Sequence, residues 1–170
     1  TSNSKGVLIP YRALWSNLEF AFEVLGTRVH RGDNVISMLP LAHMYGMSFE
    51  FIFEFMHGCH VFSLTRIPSP KIVLKAFGEI KPTIIISVPL IIEKIIKKNV
   101  LPKLQTPSMK VLLKLPIIST KIRERIRESL VQAFGGNFYE IIVGGAAFNS
   151  EVENLLHKIG FNYTVGYGAT

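Results

Sequence analysis

The sequence predicts an α/β fold: a doubly wound parallel sheet of about five strands, with helices on both faces. Helical and strand patterns alternate along the chain of 170 residues. The strand segments are apolar on both faces, which is typical of a parallel sheet covered by helices on both sides. Small or polar residues follow three of the strands, and ligands of such sheets bind beyond the carboxyl ends of the strands. We therefore expect a ligand site at one edge of this sheet.

The first three elements follow from the spacing of apolar residues. Residues 11–25 place apolar side chains at three- and four-residue steps before a glycine, which predicts a helix. Residues 35–39 form a short apolar run, which predicts a buried strand. Residues 44–56 are apolar almost all round, and they predict a helix in which Glu50 and Glu54 share one face.

The middle of the chain predicts two further strands and two helices. Residues 60–64 and 83–87 are apolar runs of strand length. A helix over residues 69–79 begins at Ser-Pro, because proline suits the first helical position. A second helix, over residues 89–98, also begins at a proline. Residues 99–119 contain three prolines, and we expect this stretch to be irregular.

The last elements complete the sheet. Residues 120–134 predict a basic helix closed by two glycines, and residues 140–143 predict the fourth strand. Ser150 and Glu153 have the spacing of a capping box, which predicts the start of a helix that runs to the next glycine. Residues 163–165 are the fifth strand.

The positive charge is concentrated in one segment. The net charge is +7, but residues 94–127 hold ten Lys or Arg and one acidic residue. Residues 99–134 are therefore predicted to be a basic insertion, partly irregular and then helical. The simplest interpretation is a solvated helix face, and the next is a surface that meets anionic lipid head groups. A nucleic-acid partner is disfavoured, because residues 94–127 contain no aromatic residue for base stacking.

The sequence gives no sign of secretion or of a membrane span. It contains no signal peptide, and its uncharged stretches are short and interrupted by proline. We expect a cytoplasmic protein that makes peripheral contact, through its basic segment, with the inner surface of a membrane.

Two glycine motifs predict a nucleotide site. Residues 144–147 read Gly-Gly-Ala-Ala after the fourth strand, and residues 166–170 read Gly-Tyr-Gly-Ala-Thr after the fifth. Glycine lets a ligand approach the backbone closely, and the aromatic ring of Tyr167 could stack on a base. Either motif alone would be typical of an ordinary strand-to-helix turn. The two motifs in this order and spacing favour a nucleotide.

Two further segments complete a resemblance. Residues 1–7 read Thr-Ser-Asn-Ser-Lys-Gly-Val, and residues 40–46 read Pro-Leu-Ala-His-Met-Tyr-Gly. Together with the glycine motifs they resemble the AMP-forming acyl-adenylating enzymes, whose phosphate loop ends Thr-Gly-x-Pro-Lys-Gly. Ser2 and Ser4 depart from the glycine and proline of that loop. The middle of the chain, residues 81–95, looks most like the long-chain fatty-acid–CoA ligases.

The resemblance implies a two-step reaction: a fatty carboxylate reacts with ATP in the presence of Mg²⁺ to give acyl-AMP, and coenzyme A then accepts the acyl group. It implies that Lys5 and Thr1 hold the β- and γ-phosphates and that Thr170 contacts the α-phosphate. It also implies that His43 orients the carboxylate. No metal ligand is expected within the chain. The residues implied to bind the nucleotide are Thr1, Gly6, Gly144, Gly145, Ala146, Gly166, Tyr167 and Gly168.

The resemblance covers residues 1–170 as a single α/β subdomain, a fragment of the large N-terminal domain of a longer enzyme. The chain begins within the phosphate loop and ends just before the family's magnesium-binding Glu, so we expect it to be inactive alone. Two alternatives stay open: an adenylating enzyme of the same superfamily that uses no coenzyme A, and a non-catalytic basic binding module. The sequence leaves the oligomeric state open.

Overall fold

The computed structural model describes residues 6–168, and within them helices and parallel strands alternate. The five strands are β1 (Asn34–Ser37), β2 (His60–Ser63), β3 (Ile84–Ser87), β4 (Glu140–Val143) and β5 (Tyr163–Val165). β1 pairs with β2, and β4 pairs with both β3 and β5, always in parallel. The backbone N–H of Thr83 donates to the carbonyl of Asn34 at 2.9 Å, which places β3 beside β1. The strands thus form a two-stranded and a three-stranded parallel sheet that adjoin between β1 and β3, in the order β2-β1-β3-β4-β5. The predicted α/β fold class is confirmed.

Eight α-helices and one π-helix connect these strands in the described part of the chain. They are α1 (Tyr11–Leu25), the π-helix (Gly46–Phe53), α2 (Glu54–Met56), α3 (Pro70–Ile80), α4 (Pro89–Asn99), α5 (Leu101–Leu104), α6 (Pro107–Leu112), α7 (Pro116–Ala133) and α8 (Ser150–Ile159). The predicted bounds of α1, β4 and β5 agree with the structure. None of the helices within residues 6–168 is long and apolar enough to cross a membrane.

Two apolar cores lie on opposite faces of the strands. Val35 and Ile84 belong to the core formed with α1 and the π-helix, which includes Phe53. The next residues along the same strands, Ile36 and Ile85, belong to the core formed with α3, α4, α7 and α8. Successive strand side chains point to opposite faces, so strands with two apolar faces need helices on both sides.

Three sequence predictions need correction. Residues 44–56 wind mainly as a π-helix rather than an α-helix, and such wider turns are frequent at functional sites. Residues 99–119 are not irregular: α5, α6 and the start of α7 lie there, each with proline in the first turn, where no helical hydrogen bond is lost. The capping box does not form, because Asn149 caps α8 and its side-chain oxygen accepts the N–H of Val152 at 3.2 Å.

Candidate functional site

The strand register brings the predicted motifs to one edge. Ser87 pairs with Val143, and Val143 pairs with Val165, so β3, β4 and β5 end level with one another. The N–H of Gly144 donates to the carbonyl of Ser87 at 3.0 Å, and the N–H of Gly166 donates to the carbonyl of Val143 at 2.8 Å. Both glycine motifs therefore continue the sheet by one residue before the chain turns away.

These motifs form the segment here called the glycine shelf: Gly144, Gly145, Ala146, Gly166, Tyr167 and Gly168. Gly145, Ala146, Tyr167 and Gly168 are exposed, whereas Gly144, which was predicted to bind the nucleotide, is buried. Gly145 has φ +86°, a conformation that favours glycine, and the backbone from Gly145 to Ala146 is exposed. The side chain of Tyr167 is 100% exposed, and nothing lies within 4 Å of a Cβ built on Gly168. The shelf thus offers accessible backbone and a free aromatic ring.

His43 lies at the strand-to-helix junction after β1. Its N–H donates to the carbonyl of Pro40 at 3.0 Å, and its carbonyl accepts the N–H of Met47 at 2.9 Å. Its side chain is exposed. The junction is tight, because a Cβ on Gly46 would lie 2.9 Å from the carbonyl oxygen of Pro40.

Tyr45 joins the His43 segment to the glycine shelf, which sequence reasoning missed. Its hydroxyl donates to the carbonyl of Ile142 in β4 at 3.2 Å. A Cβ on Gly144 would lie 2.9 Å from Cζ of Tyr45, so only glycine lets the ring sit there. Burial, and to a smaller degree the nearby Glu50 carboxylate, raise the pKa of Tyr45, so its hydroxyl stays a proton donor. The only sequence signal for Tyr45 was its position within the motif of residues 40–46, two residues after His43.

Two buried carboxyl groups lie behind this junction. Glu50 is 0% exposed and Glu54 is 1% exposed. One oxygen of Glu50, Oε2, accepts the N–H groups of Met38 at 3.0 Å and Leu39 at 2.7 Å, so the π-helix fixes the backbone that follows β1. The other oxygen, Oε1, has no hydrogen-bond partner in the described structure, and neither does Oε2 of Glu54.

Burial controls the protonation of both groups. It raises the pKa of Glu50 to about 8, because the loss of solvent outweighs the N–H groups of Leu39 and Met38, which act in the opposite direction. Burial, with the added repulsion of Glu50, raises the pKa of Glu54 well above its usual range. Burial therefore favours the neutral form of both side chains. The sequence placed them on one helix face but gave no sign that this face is buried.

Three of the predicted site residues, Thr1, Lys5 and Thr170, lie outside the described residues. Gly6 is exposed, and no atom lies within 4 Å of a Cβ built on it. The glycine shelf therefore makes no contact with Gly6 at that position.

Two cavities lie away from these residues. A groove of about 500 Å³ runs along α1 beside Trp15, and one of about 250 Å³ opens near Phe138 and Asn162, at the amino ends of β4 and β5. No group of three or more His, Cys, Asp or Glu within residues 6–168 could hold a metal ion.

A parallel sheet whose carboxyl edge carries glycine turns and a free aromatic ring defines a nucleotide-binding α/β domain. Residues 1–170 match the family described as AMP-binding enzyme, and the chain belongs to that family. The resemblance found in the motifs is thereby confirmed.

Among curated proteins the chain is similar to two long-chain-fatty-acid–CoA ligases. It is 28% identical to ligase 4 of Saccharomyces cerevisiae over 155 residues, which cover 81% of this chain and 22% of that protein. It is 27% identical to ligase 2 of Schizosaccharomyces pombe over 187 residues, which cover 100% of this chain and 27% of that protein. The chain thus spans about a quarter of the length of these relatives.

Solved structures share the fold. The N-terminal domain of FACL13 from Mycobacterium tuberculosis superposes with a TM-score of 0.65 at 18% identity, over 99% of this chain and 35% of that chain. The ATP-bound MatB of Rhodopseudomonas palustris gives a TM-score of 0.66 at 18% identity, over 99% of this chain and 27% of that chain. At these identities the likeness concerns the fold alone.

Proposed function

We propose that the whole protein is an AMP-forming long-chain fatty-acid–CoA ligase and that this chain supplies part of its nucleotide site. The observation that carries the proposal is the match of residues 1–170 to the AMP-binding enzymes, together with the glycine shelf at the carboxyl edge of the sheet. The names of the two curated relatives support a fatty acid as the acyl substrate and coenzyme A as the acceptor. The ATP-bound structural neighbour supports ATP.

In the proposed reaction, a carboxylate oxygen of the fatty acid attacks the α-phosphorus of ATP, and the bond to pyrophosphate breaks. The thiolate of coenzyme A then attacks the acyl carbonyl, and AMP leaves. Such chemistry depends on positioning and on neutralising charge at phosphorus. The chain's contribution is therefore to bind and orient the reactants.

The described residues provide a binding surface for the adenine base of ATP. Adenine would stack on the exposed ring of Tyr167, and the exposed backbone of Gly145 and Ala146 would lie against it. Gly144 is buried against Tyr45 and would support this backbone from behind. Exposed His43 would orient the fatty carboxylate, and Tyr45 would hold the His43 segment against Gly144.

The phosphates are assigned to residues outside the described part: Thr1 and Lys5 for the β- and γ-phosphates, and Thr170 for the α-phosphate. Mg²⁺ commonly binds through substrate phosphates and one or two carboxylates. The described residues offer it no cluster of acids.

The test is product analysis. The whole protein is incubated with ATP, Mg²⁺ and palmitate, with and without coenzyme A, and products are identified by mass spectrometry. We expect palmitoyl-AMP without coenzyme A and palmitoyl-CoA with it. Acyl-AMP under both conditions would instead identify an adenylating enzyme that uses no coenzyme A. No acyl product, with salt-dependent binding to DNA or RNA that ATP does not affect, would identify a basic binding module.

Replacement of Tyr167 by alanine tests the nucleotide site. We expect ATP binding by the whole protein to weaken by about 1–3 kcal/mol, the range for loss of base–aromatic stacking. The fold should be unchanged, because the ring is 100% exposed. Tyr11→Ala is the matched control, since Tyr11 is 90% exposed but belongs to α1 and not to the shelf. ATP affinity is measured by calorimetry, and equal affinities of the two variants would contradict the assignment.

We also propose that the whole protein works in the cytoplasm, in peripheral contact with the inner surface of a membrane. The support is the local charge of residues 94–127, ten Lys or Arg against one acidic residue. An apolar substrate partitions into membranes, so contact with lipid would bring the enzyme to it. Cell fractionation of the tagged whole protein tests this: recovery in a secreted or lumenal fraction would contradict it.

A further inference from the structure

The turn between α6 and α7 exposes an unusual amount of apolar surface. We call residues 110–123, which include this turn, the corner. Five large aliphatic side chains are exposed within residues 111–118: Val111 at 62%, Leu112 at 38%, Leu115 at 47%, Ile117 at 77% and Ile118 at 39%. Contiguous exposed apolar side chains mark interaction surfaces more often than isolated ones do. The sequence predicted a basic, partly irregular segment here, with contact to anionic lipid as one interpretation, but it did not show which side chains are exposed.

Basic side chains surround these aliphatic residues. Lys110, Lys114, Lys121 and Arg123 are all exposed, and the first acidic residue after Glu93 is Glu124. The described structure records no salt bridge for any of these four cations. The corner therefore combines apolar surface with uncompensated positive charge.

The corner has a defined shape. Ser119 is buried, and its hydroxyl donates to the carbonyl of Pro116 at 2.8 Å. Its N–H donates to the carbonyl of Leu115 at 2.8 Å, which is the first helical hydrogen bond of α7. Leu130 anchors the far end of α7 in the core. A surface held in this way loses little conformational freedom on binding.

We propose that the corner docks on the surface of an anionic lipid bilayer. Lysines attract acidic head groups, and aliphatic side chains enter the boundary between head groups and acyl chains. Nucleic acid would match the positive charge, but it would not explain the exposed aliphatic side chains. Proteins that bind single-stranded nucleic acid commonly stack its bases on aromatic side chains, and residues 94–127 contain none. The inference rests on the proposed function in one respect: an enzyme with a fatty-acid substrate has a reason to contact lipid.

The exposed apolar side chains of α1 serve as a comparison. α1 exposes Tyr11, Trp15, Phe20 and Val24, but its charged residues are Arg12, Glu19 and Glu23. α1 has no excess of positive charge, so it offers anionic lipid no net electrostatic attraction.

The experiment is co-sedimentation of the whole protein with vesicles, without ATP or fatty acid. Vesicles of phosphatidylcholine alone are compared with vesicles that also contain phosphatidylserine. We expect binding only to the anionic vesicles, falling as salt is raised. The double substitution K110E/K114E should weaken it by about 30-fold or more, since each surface cation contributes about fivefold. I117S/I118S should weaken it by about tenfold while keeping the salt dependence.

Two controls and three outcomes decide the proposal. K71E reverses an exposed lysine on α3, and V24S removes an exposed aliphatic side chain on α1, so both should bind as the unchanged protein does. Equal binding to the two vesicle types would overturn the proposal, as would unchanged binding by K110E/K114E. Binding to RNA but not to anionic vesicles would also overturn it. Vesicle binding by a protein that forms no acyl-AMP would support the surface and contradict the proposed function.

Discussion

Replacement of Glu50 by alanine is expected to destabilise the protein by about 3–5 kcal/mol. The N–H groups of Met38 and Leu39 would lose their acceptor in a site with no access to water, and a cavity would remain. Each buried polar group left without a partner costs about 1–3 kcal/mol. The backbone that leads from β1 to His43 would then be the first part to loosen.

Replacement of Glu50 by glutamine should have the opposite effect at high pH. Glutamine keeps an oxygen for the two N–H groups but cannot ionise. The pKa of Glu50 is about 8 in the folded protein, against an ordinary value of 4.5. The folded state therefore holds a proton that the unfolded state has lost, and stability falls as pH rises from about 4.5 through 8. At about 1.4 kcal/mol per pKa unit, the full effect is on the order of 5 kcal/mol.

Urea denaturation between pH 5 and pH 9 measures both effects, a range that follows from the ordinary and folded pKa values. E50Q should be more stable than the unchanged protein at the alkaline end. E50A should be less stable at the acid end, and its deficit should shrink as pH rises, because it lacks the titration of Glu50. Part of the pH dependence should persist in E50Q, because burial also raises the pKa of Glu54. E23Q, at an exposed acid on α1, is the matched control. A pH profile unchanged in E50Q would show that Glu50 is ionised in the fold.

Replacement of Gly135 by alanine is the second large effect, with an expected loss of more than about 3 kcal/mol. Gly135 has φ +98°, which side chains with a Cβ rarely adopt. A Cβ there would lie 2.5 Å from the carbonyl oxygen of Phe77 and 3.2 Å from Cα of Lys81. Both are backbone atoms, so the turn from α7 toward β4 would have to move away from α3.

Replacement of Gly78 by alanine is expected to stabilise the protein, in contrast to replacement of Gly135. Gly78 lies within α3, and nothing lies within 4 Å of a Cβ built on it. Alanine should therefore stabilise the helix by about 0.5–1 kcal/mol. Thermal denaturation of the two variants should shift the midpoint in opposite directions. A stable G135A variant would mean that α3 and the α7–β4 turn do not pack as described.

The sequence by itself determined the order of the elements and the family. Apolar spacing along residues 11–25 and 163–165 gives α1 and β5 with the bounds that the structure shows, because helix and strand periodicities are local properties. The motifs identified the family by resemblance, and the match of residues 1–170 to the AMP-binding enzymes confirms it. The roles of Thr1, Lys5 and Thr170 remain predictions.

Only the tertiary structure decided which side chains are buried and which distant residues touch. The pattern of residues 44–56 could not show that Glu50 and Glu54 face the core, since burial depends on what packs against a helix rather than on its own sequence. The contact of Tyr45 with Gly144 joins residues far apart in the chain, and it exists because β1, β3 and β4 lie side by side. The exposed aliphatic corner at α6 and α7 likewise depends on which face of each helix the core leaves free.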